Sequence, residues 1–237
     1  MEDVVLPDTT LCAIVRDEVM NPAGGVLRFL RSVMPHVVEG IVVDTGSIDG
    51  TRELLERAKR DFPNLKVFDY EFNGYAESRN FSLKFCETER ALILDADELI
   101  LQEDYPRIAR TLKRAPCAAR WDFDFKDVFD FGVYDGSGHP TRLFDVKNNN
   151  FHNVESEWHG EFLDYRGDPS WMGVDIFHFS PPSNGLISKI KEWYGQGSLP
   201  LEPPSKTNGF SSWKPFRPAR NNYKGSNLDD VEKIAVA

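Results

Sequence analysis

One stretch, Arg90 to Glu98, limits what this chain can fold into. Its four apolar residues, Ala91 to Leu94, run directly into the carboxylates Asp95, Asp97 and Glu98. A short apolar run bounded by charge is typical of a strand buried on both faces of a parallel sheet. In an open α/β sheet the carboxyl ends of such strands face the ligand crevice. The stretch therefore predicts a central strand that carries acidic residues into a binding site.

The spacing of Asp95 and Asp97 suggests a cation between them. Side chains alternate along a strand, so both carboxylates are expected to point the same way if the extended geometry continues. Hard oxygen ligands suit Mg²⁺ or Mn²⁺, which keep waters and bridge to substrate phosphates. The same residues also fit an acidic strand-to-helix turn in which Asp97 or Glu98 lies near a helix cap. The pattern alone leaves both interpretations open.

The chain before this stretch alternates between two kinds of apolar pattern. Compact apolar runs predict strands over 10–15, 41–43, 66–70 and 91–94, and helical spacing predicts helices over 26–33, 54–58 and 75–85. Four strands alternating with three helices predict a parallel, doubly wound sheet. A further helix is expected over 105–112.

The second half of the chain has a different character. Trp121, Phe123 and Phe125 alternate with aspartates, which indicates a strand with one wet face. We expect mixed or antiparallel strands and loops over 116–180, packed onto the sheet. From residue 181 to 237 the chain is rich in Pro, Gly, Ser and Asn, which predicts an irregular carboxyl-terminal segment or lid.

Charge and cysteine content exclude some classes of protein. A formal net charge of -10 argues against a binder of the DNA or RNA backbone, which needs a basic face. Cys12, Cys86 and Cys117 are widely spaced and odd in number, which favours reduced thiols. No signal peptide is recognisable, and no apolar stretch approaches the roughly 20 residues that span a bilayer. We therefore expect a soluble, cytoplasmic protein with no nucleic-acid partner.

Three loops are predicted to meet at one edge of the sheet. They are Arg16 to Glu18, Asp44 to Asp49 and Asp95 to Glu98, each at the carboxyl end of a predicted parallel strand. An acidic crevice lined by helix amino termini suits a nucleotide diphosphate held through a metal ion. Arg16 belongs to this donor-side group, and Arg79 on the third helix could reach a base carbonyl or a phosphate.

These residues carry a resemblance to a known group. The segments Asp44-Thr-Gly-Ser-Ile-Asp-Gly-Thr51, Gly74-Tyr-Ala-Glu-Ser-Arg-Asn80 and Leu94-Asp-Ala-Asp-Glu98 resemble the ordered signatures of GT-A fold, family 2 type glycosyltransferases. The resemblance is good over 9–100 and continues more weakly to Phe179. It implies an α/β fold, namely a GT-A-like open, mostly parallel twisted sheet with flanking helices and a smaller mixed or antiparallel acceptor-side region.

The resemblance also implies a domain plan and a reaction. Residues 1–180 would form the GT-A domain, with a nucleotide-sugar-binding half over 9–100 and an acceptor-side half over 101–180. The implied reaction is inverting transfer of a sugar from a nucleotide diphosphate sugar, with UDP-sugar favoured, using Mn²⁺ or Mg²⁺. The acceptor, which can be a glycan, a protein or a small molecule, stays open, and a lipid-linked acceptor would require peripheral membrane association.

The family pattern carries over to individual residues. Asp44 matches the acid that hydrogen-bonds uracil, and Arg79 matches the basic residue near the base and phosphates. Asp95 and Asp97 match the metal-binding pair, in which the acid at the position of Asp97 is often the direct ligand. His178 resembles the extra metal ligand of many members. The alternative for His178 is a packed histidine in an aromatic strand.

The inverting reaction needs a carboxylate to take the proton of the acceptor hydroxyl. Glu161 is our candidate, with Glu157 behind it, and Trp158 and His159 are candidates to stack on or hydrogen-bond sugar rings. The segment 158–161 resembles a His-Glu stretch after the core of related enzymes, but it carries an inserted glycine. The alternative for these residues is a solvated surface turn.

Two other functions compete with a transferase. A nucleotidyltransferase that makes sugar nucleotides would need a Gly-rich loop with a basic residue after the first strand, whereas this chain has Arg16-Asp-Glu-Val-Met-Asn21 there. A catalytically silent nucleotide- or sugar-binding module of a longer enzyme is the other alternative. The presence of Asp95, Asp97 and Arg79 argues against it.

Overall fold

The computed structural model describes residues 4–21, 25–115, 118–129, 132–135, 139–148, 150–153, 161–164 and 169–179. Within these ranges the elements are β1 (Thr9–Val15), α1 (Val26–Val33), β2 (Glu39–Asp44), α2 (Thr51–Ala58), β3 (Leu65–Asp69), α3 (Tyr75–Leu83), β4 (Arg90–Ile93), β5 (Glu98–Leu99), α4 (Tyr105–Arg114), β6 (Arg120–Phe129), β7 (Gly132–Asp135), β8 (Thr141–Asp145), β9 (Phe151–Asn153), β10 (Glu161–Leu163) and β11 (Ser170–Phe179).

Most of these strands form one sheet in the order β3-β2-β1-β4-β8-β6-β11-β5, and β7 pairs with β6. The first four strands are parallel to one another, as predicted. β8 is antiparallel to both β4 and β6, β6 and β11 are parallel, and β5 is antiparallel to β11. The predicted α/β class, with an open, mostly parallel sheet and flanking helices, is confirmed.

The region after residue 116 differs from our expectation in one respect. Its strands do not pack onto the parallel sheet but extend it, because β8 pairs with the free edge of β4. Without β8, the outer edge of β4 would have backbone N–H and C=O groups without hydrogen-bond partners. Only β9 and β10, among the described strands, form a separate two-stranded ribbon.

Helices cover both faces of the parallel half, so nearly all residues of its central strands β1, β2 and β4 are buried. α1, α2 and α4 pack on one face with Leu11, Val42 and Leu92, and α3 packs on the other face with Cys12 and Ile93. Two-sided burial explains why these strands read as continuous apolar runs rather than alternating ones.

The extended geometry expected through Asp95 and Asp97 is absent. β4 ends at Ile93, and the backbone turns so that the N–H of Glu98 donates to the carbonyl of Asp95 at 2.9 Å. The condition under which both carboxylates would point the same way along one strand is therefore not met. A local hydrogen bond replaces the ladder where β4 leaves the sheet.

Candidate active site

The loops after β1 and β2 are tied together at the carboxyl edge of the sheet. The N–H of Asp17 donates to Ser47 Oγ at 2.9 Å, and the N–H of Ile48 donates to Asp17 Oδ1 at 2.8 Å. The N–H of Met20 donates to Asp49 Oδ2 at 2.7 Å. These bonds fix the two predicted donor-side loops relative to each other. Arg16 lies at their rim with its side chain about half exposed, and its Nε is 3.8 Å from Asp17.

Asp44 ends β2 with a buried side chain. Its Oδ1 accepts the N–H groups of Gly46 at 2.8 Å and Ser47 at 2.7 Å, in a turn where Gly46 has a φ of 104°. Its Oδ2 is buried and has no hydrogen-bond partner among the described residues. Buried polar atoms are nearly always paired, so this oxygen is suited to accept an N–H from a ligand.

Asp95 is held between two arginines. Arg79, which is 3% exposed, reaches Asp95 Oδ1 from α3, and Arg142 Nη2 on β8 lies 3.8 Å from Asp95 Oδ2. Burial raises the pKa of Asp95, but the positive charges of Arg79 and Arg142 outweigh it and hold that pKa below its ordinary value. Asp95 is therefore an ionised carboxylate engaged by two guanidinium groups.

Glu98 is 1% exposed and joins the same cluster. Its Oε1 accepts from Arg142 Nη2 at 2.5 Å, and its Oε2 accepts the backbone N–H of Asp95 at 3.2 Å. Burial raises the pKa of Glu98 to about 7, and the charge of Asp95 adds to the rise, although Arg142 opposes it. Sequence reasoning did not single out Arg142. The available signal was an isolated arginine directly before the apolar pair Leu143-Phe144.

Asp97 lies close to His178. His178 Nε2 lies 3.9 Å from Asp97 Oδ2, and His178 Nδ1 is hydrogen-bonded to Asp127 Oδ1 at 2.9 Å. The N–H of Phe179 donates to the carbonyl of Asp97 at 2.8 Å, which fixes the two segments together. Burial lowers the pKa of His178, but the hydrogen bond to Asp127 and the charge of Asp97 raise it to about 9. Asp127 was also missed from the sequence.

The pair of Asp97 and His178 fits a divalent cation. Two neighbouring ligands of an octahedral ion, each about 2.1 Å from it, lie about 3.0 Å apart, so the two side chains, now 3.9 Å apart, would close by about 1 Å around a bound ion. A carboxylate on the other ring nitrogen, here that of Asp127, is the usual support of a metal-binding histidine. The described residues contain no cluster of three or more metal-ligating side chains. Such a two-ligand site suits an ion that keeps waters and binds substrate phosphates.

The acceptor-side candidates are only partly described. Glu161 begins β10, where its backbone pairs with Asn153 of β9. Its side chain, and the whole of Glu157, Trp158 and His159, lie outside the described residues. The ribbon of β9 and β10 is attached to α3, because Asn80 exchanges two hydrogen bonds of 2.8 Å with the backbone of Phe151. It therefore starts next to Arg79.

Among the described residues, no helix is long and apolar enough to cross a membrane.

Comparison with known proteins gives a family match. The family model described as Glycosyl transferase family 2 matches residues 19–178, which is more than half of the chain. The chain is 28% identical over 106 residues to the SPbeta prophage-derived glycosyltransferase SunS of Bacillus subtilis (strain 168), and equally so to the glycosyltransferase SunS of Bacillus phage SPbeta. The match covers 44% of this chain and 24% of each relative, so the chain spans about a quarter of the length of these proteins.

Solved structures of low sequence identity also match. The crystal structure of S. aureus TarS 1-349 aligns with a TM-score of 0.44 and 19% identity, covering 58% of this chain and 47% of that one. The mannosyltransferase PcManGT from Pyrobaculum calidifontis, in complex with GDP-Man and Mn²⁺, aligns with a TM-score of 0.42 and 24% identity, covering 50% of this chain and 35% of that one.

Proposed function

Because this chain belongs to glycosyltransferase family 2, we propose that it is a metal-dependent, inverting hexosyltransferase that moves a sugar from a UDP-sugar to an acceptor hydroxyl. The observation that carries the proposal is the convergence of Asp97 and His178, which are 3.9 Å apart and supported by Asp127. The candidates for holding the nucleotide are Asp44, the last residue of β2, and Arg79, in the middle of α3.

Asp97 and His178 would hold Mn²⁺ or Mg²⁺. With Asp127 accepting the Nδ1–H of neutral His178, the lone pair of Nε2 would be available to the ion, and this hydrogen bond would help to fix the orientation of the ring. A bound divalent ion would act as a Lewis acid that stabilises the departing diphosphate. Asp95, the first acid of the sequence pair, acts in this proposal through its two arginines rather than as a direct ligand.

The nucleotide would lie against Asp44 and Arg79. The buried Oδ2 of Asp44, which has no partner among the described residues, would accept the ring N–H of uracil. Arg79 would lie near the base and the phosphates, and Arg16 at the rim would approach the diphosphate. This arrangement separates base recognition from diphosphate recognition along one sheet edge.

For the acceptor side we keep the residues that the family resemblance suggested. We propose Glu161 as the base that removes the acceptor proton, and Trp158 and His159 as contacts to the sugar rings. The attachment of the ribbon of β9 and β10 to α3 supports this assignment, because it keeps the start of that segment near the donor side. A cytoplasmic location is consistent with the free thiols of Cys12 and Cys86.

The test is a calorimetric titration of UDP into the protein with Mn²⁺ and then with EDTA. We expect binding that depends on Mn²⁺, and Asp97→Asn should weaken this component at least tenfold and abolish sugar transfer. Asp61→Asn, an equivalent change at an exposed position after α2, is the matched control. Equal UDP binding in both conditions would contradict metal dependence. Absence of binding to UDP, GDP and dTDP would support a silent module instead.

A further inference from the structure

Arg142 occupies an irregular position in the sheet. On β8, Leu143 pairs with Trp121 of β6, but the next β6 residue, Asp122, pairs with Thr141. Arg142 is therefore an extra residue on β8, which is the definition of a β-bulge. Bulges change the direction of a side chain relative to the regular alternation and are common next to active sites.

The guanidinium group of Arg142 contacts both carboxylates that flank Asp97 in the sequence. Its Nη2 lies 2.5 Å from Glu98 Oε1 and 3.8 Å from Asp95 Oδ2. Glu98 in turn accepts the backbone N–H of Asp95. The turn that presents Asp97 is thus held closed by one arginine side chain from a strand far away in the sequence.

Arg142 is also connected to the histidine of the site. Its guanidinium carbon lies 5.2 Å from the ring centroid of Phe125, and that ring stacks on His178 at 5.8 Å with an interplanar angle of 10°. The Nε of Arg142 is buried and has no hydrogen-bond partner among the described residues. A buried donor without a partner is rare in folded proteins and calls for an explanation.

We propose that Arg142 is a positioning residue that fixes the Asp95–Glu98 turn and thereby directs Asp97 toward the divalent ion. The proposal rests on the proposed function, because that function assigns Asp97 to the ion. Arg142 acts through the two neighbouring carboxylates and has no contact with the ion in this assignment. The bulge on β8 interrupts the regular alternation of side chains at Arg142 and so changes the direction of its side chain.

The experiment is a titration of Mn²⁺ alone, with free Mn²⁺ read by electron paramagnetic resonance. We expect Arg142→Met to raise the Kd for Mn²⁺ by about 10- to 100-fold, the usual effect of removing an outer support of a metal site. Loss of a positive charge by itself would tighten cation binding, so weaker binding reports the loss of positioning. The exposed α4 residue Arg110 provides the matched control, Arg110→Met.

A double variant separates positioning from stability. Arg142→Met leaves Glu98 buried without its partner, whereas Glu98→Met with Arg142→Met removes both charges and is often tolerated. We expect the double variant to keep the wild-type Tm but still to bind Mn²⁺ at least tenfold more weakly. If Arg142→Met does not fold, Arg142→Lys, which keeps the charge but not the two-sided contact, should bind Mn²⁺ several-fold more weakly.

Two results would overturn the assignment in different ways. The first result is a folded double variant that binds Mn²⁺ as tightly as the wild type. If Arg142→Met is unfolded, the equivalent result is wild-type Mn²⁺ affinity in Arg142→Lys. Either result would show that Arg142 does not position the site, and the proposed function would stay intact. The second result is that the wild-type protein does not bind Mn²⁺. It would contradict the metal dependence of the proposed function and, with it, the positioning role of Arg142.

Discussion

The proton on His178 should compete with the divalent ion. Protonated imidazole has no lone pair on Nε2, so only the neutral ring can bind metal. The pKa of His178 is raised to about 9, against an ordinary value near 6.5. At pH 7, two units below that pKa, about one His178 side chain in a hundred is neutral, so the apparent Mn²⁺ affinity should be roughly 100-fold below its limit at high pH. With an ordinary pKa the loss would be less than about twofold.

The assay is the Mn²⁺ titration repeated from pH 6.5 to 9.5 under argon at constant ionic strength. The apparent Kd should fall about tenfold per pH unit up to about pH 8.5 and should level off above about pH 9. Asp127→Asn removes the carboxylate that stabilises the protonated ring. The pH above which the apparent Kd becomes constant should therefore fall by at least about one pH unit. The control is Asp61→Asn, which should reproduce the wild-type curve.

Two results would refute this reasoning. A Kd for Mn²⁺ that stays constant between pH 6.5 and 8.5 would show that no proton leaves His178 when the ion binds. A His178→Gln variant with the same pH dependence as the wild type would show that another group carries the proton. In either case His178 would be the packed histidine of the alternative interpretation.

The remaining predictions concern the nucleotide and the acceptor. Asp44→Asn replaces the buried oxygen that has no partner by an N–H donor, while its other oxygen can still accept from Gly46 and Ser47. The Tm should therefore stay unchanged. The Kd for UDP, measured by calorimetry, should rise about 10- to 100-fold, as expected when a hydrogen bond to a charged group is lost. Unchanged UDP affinity would exclude Asp44 from base recognition. Glu161→Gln should bind UDP with Mn²⁺ like the wild type but lose sugar transfer in a radiolabelled donor assay, and retained transfer would assign the base to another residue.

The parallel half of the sheet was predictable because its signals are local. Each buried strand of this half is a short apolar run, and α1 places Val26, Phe29, Leu30 and Val33 at helical spacing, all of them buried. The topology rule for alternating strands and helices then brings their carboxyl ends to one edge. For this reason Asp44 could be predicted from the sequence as a residue of this edge.

The other part of the site depends on pairing between distant segments. Arg142 and Asp127 follow Asp95 by many residues, and each reaches the site only because β8 and β6 join the sheet beyond β4. No sequence pattern within β8 or β6 indicates with which distant strand it pairs. The direction of Asp95 also required the structure, since the turn to Glu98 depends on a hydrogen bond that the Asp-x-Asp spacing does not encode.

The short link between β4 and β5 explains why the site forms where it does. In the sheet order, β5 is four strands away from β4, which in a flat sheet is about 19 Å at about 4.8 Å per strand. Ile93 and Glu98 are five residues apart, and a fully extended chain of that length spans at most about 18 Å, even before the turn at Asp95 shortens it. The sheet must therefore curl so that β11 returns toward the end of β4. That curl brings His178 to Asp97, and both halves of the sheet therefore hold the acidic turn.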